Sequence, residues 1–306
     1  MVESIVKTTN LSHRYSIQWA IKDINLEIPG KGVFGLLGSN GAGKSTIMNI
    51  LCGVLKPTQG DVWIKGIPIS KAPVEAKKHI GFLPQEPPVQ LELTVEEYLS
   101  FCAGLREIPR GEVHKVVDAV MERCAVSHFR NRLIRNLSGG YRQRVGIAQA
   151  IIHNPDFVVL DEPTNGLDPN QILEIRCLIK EIAEERTVLL STHILSEVEA
   201  LCDNIWMIEH GNVVFDGTAV DFNNYLIPNS MLATFLSMPA AAEIAALPHV
   251  VRVEELGGTQ YRLFVTDLTD VADEVVEACV AKKWRLAEIK IEKSSLNEIF
   301  TELSKK

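Results

Sequence analysis

Apolar positions follow two regimes along the chain. Up to about Gly217, short continuous apolar runs at Val33 to Leu37, Val158 to Leu160 and Val188 to Leu190 sit between stretches with helical periodicity. Unbroken runs of this kind predict strands buried on both faces, and their alternation with helices predicts a mostly parallel sheet covered by helices. From Trp19 to Pro29 the pattern differs, with Ile21, Asp23 and Asn25 set against Ile24, Leu26 and Ile28, which predicts one half-buried antiparallel strand. A mainly helical insert is predicted from Thr94 to Asn136. It opens on Thr94-Val95-Glu96-Glu97, a capping box, because a Thr hydroxyl and a Glu carboxylate three residues apart can satisfy each other's backbone N–H.

After Gly217 the order becomes strand (231–237), helix (240–247), strand (250–256), a Gly257-Gly258 turn and strand (260–266). A helix follows, with Leu268, Val271, Ala272, Val275, Val276, Cys279 and Val280 assigned to its apolar face. Next comes a strand in which Ala287, Ile289 and Ile291 alternate with charged residues. A last helix is predicted from a second capping box, Ser295 to Glu298. This β-α-β-β-α-β order predicts a small ferredoxin-like module. The expected division is a large α/β domain over 1–217 with a helical subdomain over about 94–153, a linker over 218–230 and an accessory domain over 231–306.

Composition narrows the class. The chain has 306 residues, 46% apolar and 23% charged, which suits two packed domains and excludes coiled coil or disorder. No apolar run approaches the roughly 18 residues of a membrane span, and Met1-Val2-Glu3-Ser4 lacks the features of a signal peptide. Six scattered cysteines (52, 102, 124, 177, 202, 279) form no C-x-x-C. They predict neither zinc nor disulfides, and each reads as a small core residue of a protein in a reducing cytosol. The net charge of −8 argues against a nucleic-acid partner, so any phosphate must be bound locally.

Gly38-Ser39-Asn40-Gly41-Ala42-Gly43-Lys44-Ser45-Thr46 matches G-x-x-x-x-G-K-[ST] between a predicted strand and a helix expected over 46–55. Glycines let backbone N–H groups close around phosphate oxygens, and a helix N-terminus adds positive potential. Lys44 supplies a mobile cation, and the Ser45 hydroxyl can ligate Mg²⁺. The run Phe157 to Leu160 ends in Asp161 and Glu162. There, Asp161 can hold Mg²⁺ and Glu162 can face an attacking water. In Leu137-Ser138-Gly139-Gly140-Tyr141-Arg142-Gln143, Ser138 reads as the N-cap of a helix to about 153, and the two glycines expose its first N–H groups as a second anion site.

The last segment resembles the LSGGQ signature of ATP-binding cassette (ABC) ATPases. With the phosphate loop and the Asp-Glu strand, the chain is identified as a member of that superfamily. The resemblance implies a P-loop ATPase with a mixed, mostly parallel sheet, an antiparallel β subdomain and a helical insert, using ATP and Mg²⁺. It implies a head-to-tail homodimer, or a pair with a closely related subunit, in which Ser138, Gly139 and Gly140 complete the partner's ATP site. By the same resemblance Gln85 touches Mg²⁺ and the attacking water, His193 contacts the γ-phosphate, Asp168 reads the opposite subunit and Tyr15 stacks on adenine, with Trp19 the rival for that role. Tyr141 stands where the signature most often has Gln. The segments at 141–145, 166–171 and 191–199 look like the ABC-2 exporter group, particularly its gliding-motility-type branch, and the C-terminal module resembles that group's tail domain. The implied protein sits on the cytoplasmic face of a membrane and moves integral membrane permease subunits through a groove near Gln85. An importer ATPase with a ligand-sensing C-terminal domain, or a soluble ABC ATPase acting on ribosomes or DNA, are the rival readings.

Overall fold

In the computed structural model the described residues are 4–225, 230–237, 239–266, 268–292 and 296–304. The chain divides into two units, 1–219 and 220–306.

The first unit opens on β1 (Val6–Tyr15), β2 (Gln18–Ile24) and β3 (Glu27–Ile28). The single strand expected from Trp19 to Pro29 is thus two, both antiparallel to β1. The break falls at Asn25, whose side-chain carbonyl accepts the Asn10 N–H at 2.8 Å while Leu26 N–H turns to the Thr8 hydroxyl. Then come β4 (Gly32–Leu37), α1 (Lys44–Leu51), β5 (Gln59–Ile64), β6 (Ile67–Pro68), α2 (Pro73–Lys78) and β7 (Ile80–Leu83). Strands β2-β1-β5-β6, with β3 on β1, form an antiparallel sheet. Helix α1 is shorter than the helix expected over 46–55, because the chain turns at Cys52 and Gly53.

The helical insert holds α3 (Val95–Leu105) and α4 (Val113–Arg123), and leads into α5 (Gly139–Ile151). The Thr94 capping box forms as read from the sequence: Thr94 Oγ1 accepts the Glu97 N–H at 3.3 Å and Glu97 Oε2 accepts the Thr94 N–H at 2.8 Å. Such a cap contributes about 1 kcal/mol. The unit continues with β8 (Phe157–Asp161), α6 (Pro169–Glu185), β9 (Thr187–Thr192), α7 (Leu195–Leu201), β10 (Asn204–Glu209) and β11 (Asn212–Thr218). The central sheet runs β11-β10-β4-β9-β8-β7, parallel except for the β10–β11 hairpin. Every residue of β8 and β9 is buried, as their unbroken apolar runs require. The carboxyl ends of β4, β8 and β9 therefore open on one edge of the sheet, where ligands of such folds bind.

In the second unit α8 (Ala219–Asn223) occupies part of the expected linker, and Pro228 and Asn229 lie outside the described residues. It is followed by β12 (Ser230–Phe235), α9 (Ala241–Ala245), β13 (Val250–Gly257), β14 (Gln260–Val265), α10 (Leu268–Ala281), β15 (Leu286–Glu292) and α11 (Leu296–Leu303). Strands β13-β14-β12-β15 are antiparallel throughout. Their core gathers Met231, Phe235, Tyr261, Leu263, Val271 and Val275. The apolar face expected on α10 is narrower than read: Val271, Val275 and Cys279 are buried, whereas Val276 and Val280 are exposed. On β15 Ala287 and Ile291 are likewise exposed. The Ser295 capping box lies outside the described residues. The cysteines are free, but only 52, 124, 202 and 279 are buried; Cys102 is half-buried and Cys177 exposed on α6, which corrects their uniform assignment to the core.

Candidate active site

Between β4 and α1 the chain must turn tightly against β10. A Cβ on Gly38 would lie 2.2 Å from the Ile208 carbonyl oxygen, so this approach requires glycine. Gly41 and Gly43 adopt φ of 83° and 113°, the region that glycine alone enters at no steric cost. No side chain caps α1, which leaves its first N–H groups directed at an anion site. Lys44 is buried at 5% exposure, and its Nζ donates to Gly38 O at 2.8 Å and Ser39 O at 2.9 Å. Burial pushes its pKa below the usual lysine value, while the charges of Glu162, Asp161 and Glu209 act in the opposite sense.

Strand β8 delivers the two carboxylates. Asp161 is buried and pairs in register with Ser191 on β9, whose hydroxyl donates to Asp161 Oδ1 and accepts the Glu162 N–H at 2.9 Å. Glu162 has φ of 46°, a left-handed backbone that swings its side chain out of strand alternation. Its carboxylate takes hydrogen bonds on Oε2 from Gln85 Nε2 and Asn165 Nδ2, both at 3.3 Å, and His193 Nδ1 lies 3.0 Å from Oε1.

These groups border one cleft of about 880 Å³, of a size that suits a small ligand. Among the expected residues, Tyr15, Asn40, Gly41, Gly43, Lys44, Ser45, Thr46, Gln85, Glu162 and His193 line it. Gly38, Ser39, Ala42 and Asp161 do not line it. Trp19 also lines the cleft, so both aromatic candidates are present: Tyr15 meets the His13 ring edge-on at 4.8 Å, and the Arg14 guanidinium lies 5.8 Å from the Trp19 ring centre.

The signature residues lie outside that cleft. Ser138 occupies the N-cap position of α5 with φ −66° and ψ 165°, but its hydroxyl makes no capping bond, contrary to the side-chain cap expected there. It and Gly139 are exposed. Gly139 borders a second cavity of about 370 Å³ together with Gln85, Pro87, Arg142 and Asn165. Gly140 is buried against Gln171, whose side chain would have to move to admit a Cβ, Oε1 lying 2.6 Å from its place. Asp168 caps α6 by accepting the Gln171 N–H at 3.0 Å. Tyr141 packs edge-on against Phe129 at 4.5 Å and His128 at 5.6 Å, so the departure from the usual signature residue serves an aromatic cluster beneath the start of α5.

The pattern that defines ABC transporters matches residues 21–165. The chain is 38% identical over 215 residues to the bacitracin transport ATP-binding protein BcrA of Bacillus licheniformis, covering 70% of this chain and 69% of that protein. The chain belongs to the ABC transporter ATPase family. The linearmycin resistance ATP-binding protein LnrL of Bacillus subtilis is 28% identical over 98% of each chain. The ATP-binding cassette MJ0796, solved as a dimer in a post-hydrolysis state with ADP and Pi, superposes with a TM-score of 0.64 at 28% identity, covering 70% of this chain and 98% of that one.

The donor set of this ABC ATPase fits Mg²⁺. That ion needs only one or two protein ligands when phosphate and water oxygens supply the rest; Ser45 and Gln85 line the cleft, while the Asp161 carboxylate is buried at the end of β8 and held by the Ser191 hydroxyl. Among the described residues there is no cluster of three or more acidic, His or Cys side chains of the kind a dedicated protein cage would show. Also among the described residues, no helix is long and apolar enough to cross a membrane.

Sequence reasoning missed several groups around the site. Gln18, Ala20, Asn165, His210 and Gly211 line the cleft, and Ser191 and Glu209 brace it from inside. Glu197, 1% exposed, accepts the hydroxyls of Thr164 and, at 2.6 Å, Thr192, and so ties the loop after Glu162 to the one carrying His193. Ser191 was detectable in principle, because it sits two residues before His193 at the end of a buried apolar run.

Proposed function

We propose that two copies of this ABC ATPase close head to tail on two ATP molecules and thereby drive export through separate membrane subunits. The observation that carries this reading is the separation of the two anion sites: the phosphate loop lines the 880 Å³ cleft, while Ser138 and Gly139 are exposed outside it. A second copy supplies the missing signature residues.

In the closed pair, Lys44 exchanges its two carbonyl partners for β- and γ-phosphate oxygens, and the loop N–H groups hold the rest of the chain of phosphates. Tyr15 stacks on the base. Ser45, Asp161 and Gln85 would hold Mg²⁺, whose charge offsets that of the phosphates. Glu162 polarises the attacking water, oriented by Gln85 and Asn165, and His193 links that carboxylate to the γ-phosphate. Asp168 reports on the opposite subunit. Loss of the γ-phosphate removes the charge that joins the copies, and the pair opens.

Similarity to proteins named for bacitracin transport and linearmycin resistance supports export, and the assignment to an ABC-2 exporter of the gliding-motility-type branch rests on the resemblance of the segments at 141–145, 166–171 and 191–199. The cavity beside Gln85, Glu86 and Pro87 would receive the membrane subunits, with the ATPase on the cytoplasmic face. The second unit, with helices between antiparallel strands ordered β13-β14-β12-β15, is proposed as a ferredoxin-like tail that stabilises the dimer.

Sizing the full chain with Mg²⁺-ATP tests the paired arrangement. Ser138→Arg should leave ATP binding by the single chain intact and abolish ATP-driven pairing. Loss of single-chain binding would instead place both anion sites on one nucleotide.

A further inference from the structure

The mechanism above makes no use of the buried carboxylate of Glu209. Glu209, 6% exposed, ends β10 beside a loop built to bind anions. Its Oε1 accepts the Ser39 hydroxyl at 2.6 Å, and Oε2 lies 3.4 Å from the Ser39 N–H. Two residues on, the Gly211 N–H donates to Ala42 O at 3.0 Å, while Gly211 O accepts the Lys22 N–H at 2.9 Å. The turn has no slack: at φ 79° a Cβ on Gly211 would fall 2.7 Å from Ala20 O. One on Gly43 would fall 2.6 Å from Ile21 Cγ2. The segment from Glu209 to Gly211 thus grips the phosphate loop at Ser39 and Ala42 and the aromatic hairpin at Lys22.

We infer that Glu209 is a positioning residue for nucleotide binding, which holds the phosphate loop in its receptive shape through Ser39 and clips it to the hairpin that carries Tyr15 and Trp19. The inference rests on the reading of the cleft as the ATP site. A carboxylate beside an anion site opposes anion binding by its charge, so charge and positioning predict opposite signs for its removal. Ser39 O is also one of the two acceptors that hold Lys44 in the loop, so an unheld Ser39 would misplace the cation as well.

The test measures affinity of the full chain for a fluorescent ATP analogue and for inorganic tripolyphosphate. Glu209→Ala and Ser39→Ala should each weaken both ligands roughly tenfold, the size expected for loss of one charge-assisted hydrogen bond. The double variant should be no weaker than either single one, because both remove the same contact. Glu209→Gln, which keeps an acceptor and loses the charge, should bind both ligands at least as tightly as the wild type. Equal or tighter binding by Glu209→Ala, or additive losses in the double variant, would overturn the positioning role. Where Glu209→Ala does not fold, Ser39→Ala decides alone: a roughly tenfold loss supports the clip, and wild-type affinity overturns it. Failure of the wild-type chain to bind either ligand would count against the ATP site itself, and so is distinguishable.

Discussion

His193 Nδ1 lies 3.0 Å from Glu162 Oε1, and this contact joins the ends of two neighbouring parallel strands, β8 and β9. The imidazole is 39% exposed and the carboxylate 11%, so the histidine reaches from the cleft wall toward a nearly buried acid. His193→Ala should lower kcat by about 10²-fold, within the range of a positioned proton-transfer partner, and leave the Kd for ATP within about threefold. Single-turnover hydrolysis and equilibrium binding on the same samples check this.

Ser191 holds both halves of the acidic pair, donating to Asp161 and accepting from the Glu162 N–H. Ser191→Ala should cost about tenfold in kcat and raise the Mg²⁺ concentration needed for half-maximal ATP affinity. Titrating nucleotide binding against Mg²⁺ reads the second effect without turnover.

The parts of the site legible in the sequence were those written locally. The phosphate loop, the acidic strand end and His193 each depend on neighbours within a few residues, where glycine placement and unbroken apolar runs carry the signal. Glu209 acts through a partner 170 positions away, so no local pattern marks it, and Ser191, although it stands two residues before His193, takes its role from Asp161, 30 positions away. The same limit shaped the fold. Strands β2 and β3 read as one strand because the break between them at Asn25 depends on the Asn10 N–H across the sheet. The α10 face was read too wide because seven apolar positions gave no sign that Val276 and Val280 would stay exposed.

Gly38 is required by the backbone of another strand, the Ile208 carbonyl lying 2.2 Å from where a Cβ would stand. Backbone yields less readily than a side chain, so Gly38→Ala should destabilise the first unit by about 2–3 kcal/mol and weaken ATP binding. Thermal unfolding followed alongside nucleotide binding would show both.

His153 gives the chain an acid-sensitive point. Its Nε2 donates to Ile80 O at 3.0 Å, and its Nδ1 is buried without a partner. Burial, then the charge of Arg106, pulls its pKa from 6.5 to about 4. The unfolded chain therefore takes the proton first, and stability is lost as pH falls from 6.5 toward 4. His153 should account for about 2 kcal/mol of that loss, allowing for its partial exposure. Urea unfolding at pH 7 and at pH 4.5 should differ less in His153→Gln than in the wild type.

Hydrolysis in the proposed cycle turns on Glu162 as the group that activates water. Steady-state ATP hydrolysis by full-length Glu162→Gln is the most direct measurement of that claim. A fall of at least about 10²-fold, with ATP still bound and the ATP-dependent pair persisting on a sizing column, is the predicted result. Turnover within about threefold of the wild type would contradict it.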